Sequence, residues 1–436
     1  MNTFEKMLLT IFFVELFIGG GGRLIDFGFL SIRQVLFILL FVTFLLRIVK
    51  EKAYFNRDVN TFIRFNPVSI GVYLLIAWFF VSALIGFFNG NPRSVIAMDF
   101  FRVSFFAAYF PLAYYISESR FTKRKIISLL KYGALAVAIY TIVIALLGKT
   151  IFSSNFESYM AFWKSFMNDD LLFRRSHSVF YKSHFYVLIG LVLSLNDIMS
   201  KKYSTLNTLN VILGSISIFW SDTRGFSIAL LVGLFVIVFF DMKIFTDSIK
   251  EWSQKGRTIL KNRQIMTKVV VLVLLAVLVP YLYQYTTLER FKDQTNEEPS
   301  DVKDTSVGAR IDFLLDSKEI LLESPITFIF GEGYGTSIAG RVEGIEMSFL
   351  DIWVEQGAIG LSIWLYLCLL VLFHYHIAYK NGNEITTVDR SLIGAFVGMV
   401  LLTNINPFIN NPIGIVFFLL VLIFAQNKNR EKEPLG

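Results

Sequence analysis

The chain of 436 residues is 55% hydrophobic and only 17% charged, with a mean hydropathy of +0.59. Soluble domains are about 45–50% apolar and about a quarter charged, and a soluble protein of this composition could not hide its surface. The net charge of +7 does not indicate a nucleic-acid partner, because the basic residues cluster beside apolar runs rather than on one soluble face.

Other classes fall away as well. The single cysteine, Cys368, lies in an apolar run and excludes an internal disulfide or a cysteine-based metal site. His177, His184, His374 and His376 lack metal-ligand spacing, so no metal or other cofactor is expected. Residues from Met1 to about Gly19 lack a small-residue cleavage site and read as a retained first span, with Glu15 inside it.

In chain order, apolar segments near 4–19, 33–49, 69–87, 99–117, 127–148, 181–198, 206–220, 225–241, 268–286, 349–378, 391–406 and 412–426 read as membrane spans. Each is near the ~20 residues that a bilayer core requires. The expected fold is therefore all-α, a polytopic integral membrane protein of about twelve crossings. Residues 1–286 hold nine of them, with an outer loop near 149–180; 287–348 form one long outer loop; 349–436 hold the last three and a tail.

Short connectors rich in basic residues fix the expected orientation. They carry Arg47, Lys50, Lys52 and Arg57, then Arg120, Lys123, Arg124 and Lys125, then Lys201 and Lys202. The 242–268 connector adds Lys243, Lys250, Lys255, Arg257, Lys261, Arg263 and Lys268. All fall on one side if the spans alternate, which the positive-inside rule makes the cytoplasm. Both termini are then cytoplasmic and both long loops periplasmic. Within 242–268, Ile249, Trp252, Ile259 and Leu260 share a face among lysines. A helix on the inner leaflet and a solvated basic loop fit that pattern equally.

The first outer loop holds Tyr159, Phe162 and Trp163 and ends at Phe173-Arg174-Arg175-Ser176-His177. The second opens with a disorder-prone acidic stretch from Asp293 to Asp301. The most patterned part of the chain follows, from Gly308 to Leu361. Arg310 heads an amphipathic helix that Pro325 stops. Gly331, Gly333 and Gly335 form a triplet, Glu346 precedes the next span, and Glu355, Gly357, Gly360 and Leu361 spell E-x-G-x-x-G-L. A last outer turn, Asn404 to Pro412, is rich in amides and reads as a turn or as a sugar contact.

This order of elements resembles the bacterial O-antigen ligase/polymerase superfamily. The likeness covers 308–361 well and extends to Ser221-Asp222-Thr223-Arg224-Gly225, which resembles the family's Ser-Arg-Gly turn. In the ligase branch the residue matching Glu346 is usually a histidine followed by asparagine. Here the pair is Glu346-Met347, which favours the polymerase branch. The resemblance implies an inner-membrane glycosyltransferase working on the periplasmic side. Its donor and acceptor would both be undecaprenyl-diphosphate-linked oligosaccharide, in contact with membrane lipids and with a chain-length regulator protein as a further partner. A ligase acting on lipid A-core, and a transporter of the lipid-linked unit, are the alternatives. A transporter would more often place charges mid-span and show related halves.

The candidate chemistry divides into phosphate binding and proton transfer. Guanidinium stays charged and offers a planar fork to phosphate oxygens. Arg224 and Arg310, from separate loops, would form a diphosphate clamp that stabilises the leaving group. The plainer readings are an Asp222–Arg224 pair across the turn, and an Arg310 pair with Asp312 or Asp316. Arg174 and Arg175 stand where the family often carries another basic residue; a collar for lipid phosphates is the alternative. Glu346 is the candidate base that relieves the acceptor hydroxyl of its proton, with Glu332, Glu343 and Glu355 as competing carboxylates. Tyr334, inside Gly331-Glu332-Gly333-Tyr334-Gly335, is a candidate substrate contact. That run is either a backbone cradle for phosphate or a tight re-entry turn. Asp99 and Arg102, one helical turn apart, are expected to pair, with Arg102 facing an interior cavity as the alternative.

The topology can be tested directly. With Cys368 replaced by serine, a cysteine at Ser300 should react with an impermeant reagent in intact spheroplasts, and one at Ser253 should not. Labelling at Ser253 would reverse the orientation.

Overall fold

A computed structural model describes residues 1–22, 25, 27, 30–52, 63–117, 120–174, 177–244, 262–294, 305–342 and 344–430. The candidates Arg175 and Glu343, the face around Trp252, and the acidic stretch from Thr295 to Asp301 lie outside these residues.

The described chain is almost entirely helical. The first half comprises α1 (Thr3–Ile18), α2 (Ile32–Lys50), α3 (Pro67–Phe88), α4 (Arg93–Ser104), α5 (Tyr109–Tyr115), α6 (Lys123–Lys149) and α7 (Phe156–Phe166). A short antiparallel hairpin follows, β1 (Leu171–Phe173) with β2 (Val179–Tyr181). Then come α8 (His184–Met199), α9 (Thr205–Trp220), α10 (Arg224–Asp241) and α11 (Arg263–Gln294). The patterned loop contributes α12 (Thr305–Glu323) and α13 (Pro325–Phe330), and the chain continues through α14 (Ser348–Lys380), α15 (Thr387–Leu402) and α16 (Pro412–Arg430).

Local chemistry explains many of the starts. Asn2 with Glu5, Ser31 with Gln34, Asn66 with Ser69, and Thr386 with Asp389 each form a capping box. These side chains satisfy N–H groups that a helix start leaves without partners. Pro67 and Pro325 occupy first-turn positions, where proline's missing N–H costs nothing.

Eight helices are long and apolar enough to cross a membrane among the described residues. Four of the expected spans, α1, α8, α9 and α15, form helices of 16 residues each, roughly 24 Å at 1.5 Å per residue. That is near the lower limit for a ~30 Å hydrocarbon core, so length and composition alone identify eight crossings and do not confirm the expected twelve. The outward faces are apolar: Val270, Val273, Leu274 and Val277 of α11 are exposed, as lipid-facing residues should be.

Packing inside the bundle follows membrane rules. The backbones of α10 and α15 come together at Gly233 and Gly394, where a β-carbon on either would meet the other's carbonyl. Small residues permit such close approach without help from a hydrophobic driving force. At the centre, Phe79, Phe106, Trp364 and Phe418 interlock with ring centroids 5.1–6.5 Å apart. α16 is the most enclosed of the eight spans at 78% buried, against 11% for the span from Arg263 to Tyr281.

The sequence reads 349–378 as one span. The structure breaks it at Gly357, whose φ of 66° and ψ of −176° are not helical. A helix end leaves carbonyls without intrahelical donors, and other groups fill them here. The N–H of Glu332 donates to Val354 O at 2.8 Å, and that of Gly333 to Glu355 O at 3.1 Å. Trp78 Nε1 donates to Gln356 O at 2.7 Å. The E-x-G-x-x-G-L signature is therefore a docking device. Gly357 makes the break, the freed carbonyls receive the glycine loop, and Gly360 leaves room for Trp78, which a β-carbon would meet at 2.9 Å.

Gly333 has a φ of +86°, and a β-carbon there would lie 2.1 Å from the backbone nitrogen of Gly86 on α3. Strained backbone of this kind costs of order 1–3 kcal/mol before the clash is counted. Gly333→Ala should therefore lower the melting temperature of the detergent-solubilised protein by several degrees. An unchanged transition would show that this docking is not rigid.

Candidate functional site

The patterned loop returns to the bundle beside the turn that joins α15 to α16. There the candidate base meets the second expected arginine. Arg310 Nη2 lies 3.5 Å from Glu346 Oε2 and 3.5 Å from the carbonyl of Ile405. On the other side of the carboxylate, Arg341 Nη1 is 3.6 Å from Glu346 Oε1, and its guanidinium lies over the Phe313 ring. The alternative partner Asp316 instead accepts the N–H of Ala339 at 2.5 Å. Arg341 was not legible as a site residue; it is one of several loop cations with no pattern around it.

Arg224 reaches the same turn from α10. It is the exposed first residue of that helix. The following Gly225 packs so tightly that a β-carbon would meet Leu402 at 2.9 Å and Ile405 at 3.1 Å. The residue that gives Arg310 its carbonyl thus also abuts the start of the Arg224 helix. Arg174 joins from the hairpin, where Nη1 donates to the carbonyl of Asp222 at 3.1 Å and the guanidinium lies over the Phe180 ring. Three loops distant in sequence thereby bring Arg174, Arg224, Arg310, Arg341 and Glu346 to the neighbourhood of residues 222–225 and 402–405.

The energetics of this cluster suit a ligand. The Arg310 and Glu346 side chains are 29% and 36% exposed. Both are half-buried and their contact is long at 3.5 Å, so the pair is weak beside a fully buried one and an anion could compete for Arg310. Two buried donors at the site, Arg310 Nε and Asn406 Nδ2, have no acceptor in the structure. Each can donate a further hydrogen bond to an acceptor beside the guanidinium groups.

The glycine run plays a different part. Its four N–H groups from Glu332 to Gly335 donate to Val354 O, Glu355 O, Ser82 O and Asp99 Oδ2 at 2.8–3.2 Å. It is the tight re-entry turn, and these N–H groups are not free to cradle phosphate. Tyr334 corrects the sequence reading: it is 0% exposed, and burial pushes its phenol well above the ordinary value. In this structure it is a packing residue with no surface to offer a substrate.

The competing carboxylates lie elsewhere. Glu332 accepts from Asn89 Nδ2 at 2.9 Å and borders a cavity of about 580 Å³ between α3 and α12–α13. Burial, with the charge of Glu323 nearby, raises its carboxyl above the usual range. The cavity lining contains both carboxylates and no arginine, so this hollow is not where the guanidinium groups gather. Glu355 is 3% exposed and joins a buried cluster in which Arg102 Nη2 is 3.3 Å from each of Asp99, Asp351 and Glu355. The expected Asp99–Arg102 pair is present, with two partners that the sequence did not disclose. Removing one member of such a buried cluster typically costs ~3–5 kcal/mol.

No group of three or more His, Cys, Asp or Glu side chains suited to a metal occurs among the described residues. The arrangement sets arginine forks around the accessible carboxylate of Glu346, a geometry that could hold a phosphorylated ligand and accept a proton next to it.

Comparisons with known proteins show what the chain resembles. A family model described as O-antigen ligase matches residues 209–365, a range that contains Arg224, Arg310, Arg341 and Glu346. An O-antigen polymerase of Shigella flexneri is 25% identical over 435 residues, covering 98% of this chain and 96% of that protein. The chain is thus similar to a ligase-family model over a stretch that closes just beyond the Gly357 break, and to an O-antigen polymerase almost from end to end.

Proposed function

We propose that the chain is a polysaccharide polymerase. It transfers a growing glycan from a polyprenyl diphosphate onto the sugar end of a second lipid-linked repeat unit. The observation that carries this reading is the Arg310–Glu346–Arg341 array beside the Arg224 helix start. The acceptor hydroxyl oxygen attacks the anomeric carbon of the donor glycan. The bond from that carbon to the diphosphate oxygen breaks, and the electron pair leaves with the diphosphate. Arg224 and Arg310, with Arg174 close by, neutralise the charge that develops there. Glu346 takes the hydroxyl proton. The donor diphosphate competes for Arg310 and Arg341, so its arrival frees the carboxylate for that task.

The family description favours a second reading, ligation of the glycan to lipid A-core. Purified enzyme given only lipid-linked repeat units separates the two. A ladder of products is expected for the polymerase. Dependence on a lipid A-core acceptor would establish the ligase, and transbilayer movement without new bonds would establish a transporter.

Substitutions test the assigned roles. Arg→Lys at Arg224 or Arg310 keeps a point charge but loses the fork, and should cause a marked loss of activity; Arg→Ala should abolish it nearly completely. Glu346→Gln should leave donor binding intact while turnover falls by ~10²–10⁴-fold, and Glu346→His should retain partial activity. Wild-type turnover in a folded Glu346→Gln protein would remove Glu346 from the chemistry.

Because the clamp is built of arginines, activity should also survive chelation. A loss in EDTA that Mg²⁺ or Mn²⁺ restores would overturn the arginine clamp as sufficient for the diphosphate.

A further inference from the structure

One buried carboxylate ties together the two segments that carry the Arg310–Glu346 contact. Asp351, in the first turn of α14, is 0% exposed. Its Oδ1 accepts the N–H of Ile345, the residue before Glu346, at 3.3 Å. Its Oδ2 accepts from Asn410 Nδ2 at 2.8 Å. Asn410 belongs to the turn whose Ile405 carbonyl faces Arg310. Both oxygens of one side chain therefore set the distance between the segment bearing Glu346 and the turn that steadies Arg310.

The surroundings make this tie rigid. Arg102 Nη2 lies 3.3 Å from Asp351 Oδ2 and compensates its charge. Ser348 Oγ donates to Asn410 Oδ1 at 2.9 Å and accepts from Thr403 Oγ1 at 2.9 Å, while Thr403 Oγ1 accepts the N–H of Ile409 at 2.9 Å. Gly344, with a φ of +83°, closes over the cluster; a β-carbon there would sit 2.4 Å from Arg102 Nη1 and 3.2 Å from Asp351 Oδ2. The half-buried Arg310–Glu346 pair has no such enclosure of its own, so its geometry depends on this buried frame. Misplacing a catalytic group by about 1 Å can cost ~10²-fold in rate.

We propose that Asp351, held by Arg102, is a positioning residue for the transfer reaction: it sets the spacing of Glu346 and Arg310 without touching substrate. The proposal rests on the reading of Arg310 and Glu346 given above. It concerns residues on α4 and in the first turn of α14 that lie outside the arginine cluster.

The test uses the purified full-length enzyme and lipid-linked repeat units. Asp351→Asn keeps the volume but replaces one acceptor oxygen with a donor facing Asn410 and Arg102. It should lower kcat by about 10²-fold and leave KM for the donor within about threefold, with the folded fraction measured by size-exclusion chromatography. The exchange Asp351→Asn with Asn410→Asp restores a carboxylate–amide pair with the roles reversed, and should recover at least about tenfold of the lost turnover. Wild-type kcat in folded Asp351→Asn, or an exchange variant no better than the single one, would overturn the proposal. If Asp351→Asn does not fold, Ser348→Ala loosens Asn410 one bond further away and should lower kcat with donor KM unchanged; full activity there would overturn the proposal equally. Glu346→Gln is assayed in parallel. Full activity in Glu346→Gln sinks the proposed chemistry itself, whereas loss there with full activity in Asp351→Asn sinks only the positioning role.

Discussion

The docking of the glycine loop onto the broken start of α14 is the constraint on which the rest of the outer architecture depends. A continuous helix through Gly357 would consume its own carbonyls and offer nothing to the loop. The break at Gly357 leaves Val354 O and Glu355 O to receive the N–H groups of Glu332 and Gly333. From that seam the chain can run only one way, past Asp99 and Arg102 on α4 and on to Ile345 and Glu346. Two kinds of electrostatics then coexist within one turn of α14. Arg102 with its carboxylates is buried, while Arg310 and Arg341 around Glu346 are more open to solvent.

How much of this was legible in the sequence differs from residue to residue, for physical reasons. The helical membrane class follows from hydropathy alone, since only helices or closed barrels satisfy backbone groups in lipid. The number of crossings does not, because α1, α8, α9 and α15 form helices near the lower limit of span length. Arg224, Arg310 and Glu346 could be singled out because pattern and chain order surround them. Tyr334 could not be judged: flanking glycines look the same whether they admit a ligand or a neighbouring backbone, and here the neighbour is Gly86. Arg102 carried a usable signal, an arginine one turn after an aspartate within an apolar run. Its partners Asp351 and Glu355 are about 250 positions away, a distance over which one sequence without relatives says nothing.

The arginines also differ in how they are supported. Arg224 stands at a helix start, where backbone N–H groups add positive character of their own. Arg310 has a carbonyl and a carboxylate in reach, and Arg174 is steadied by a backbone carbonyl and an aromatic face. A site assembled from three loops in this way can change its ligand geometry by small shifts of any one loop while the bundle stays fixed.

The position of α16 has a consequence for how the bundle holds together. It is the most enclosed of the spans, with every side chain from Ile415 to Ala425 buried, and it follows in the chain the helices it packs against, among them α4, α5, α14 and α15. Its Phe418 sits in the central slot between Phe106, Trp364 and Phe396. The helix is therefore a keystone: rings from three other parts of the chain meet on one of its side chains. The turn from Asn404 to Asn411 leads into this keystone and is tied through Asn410 to Ser348 at the start of α14.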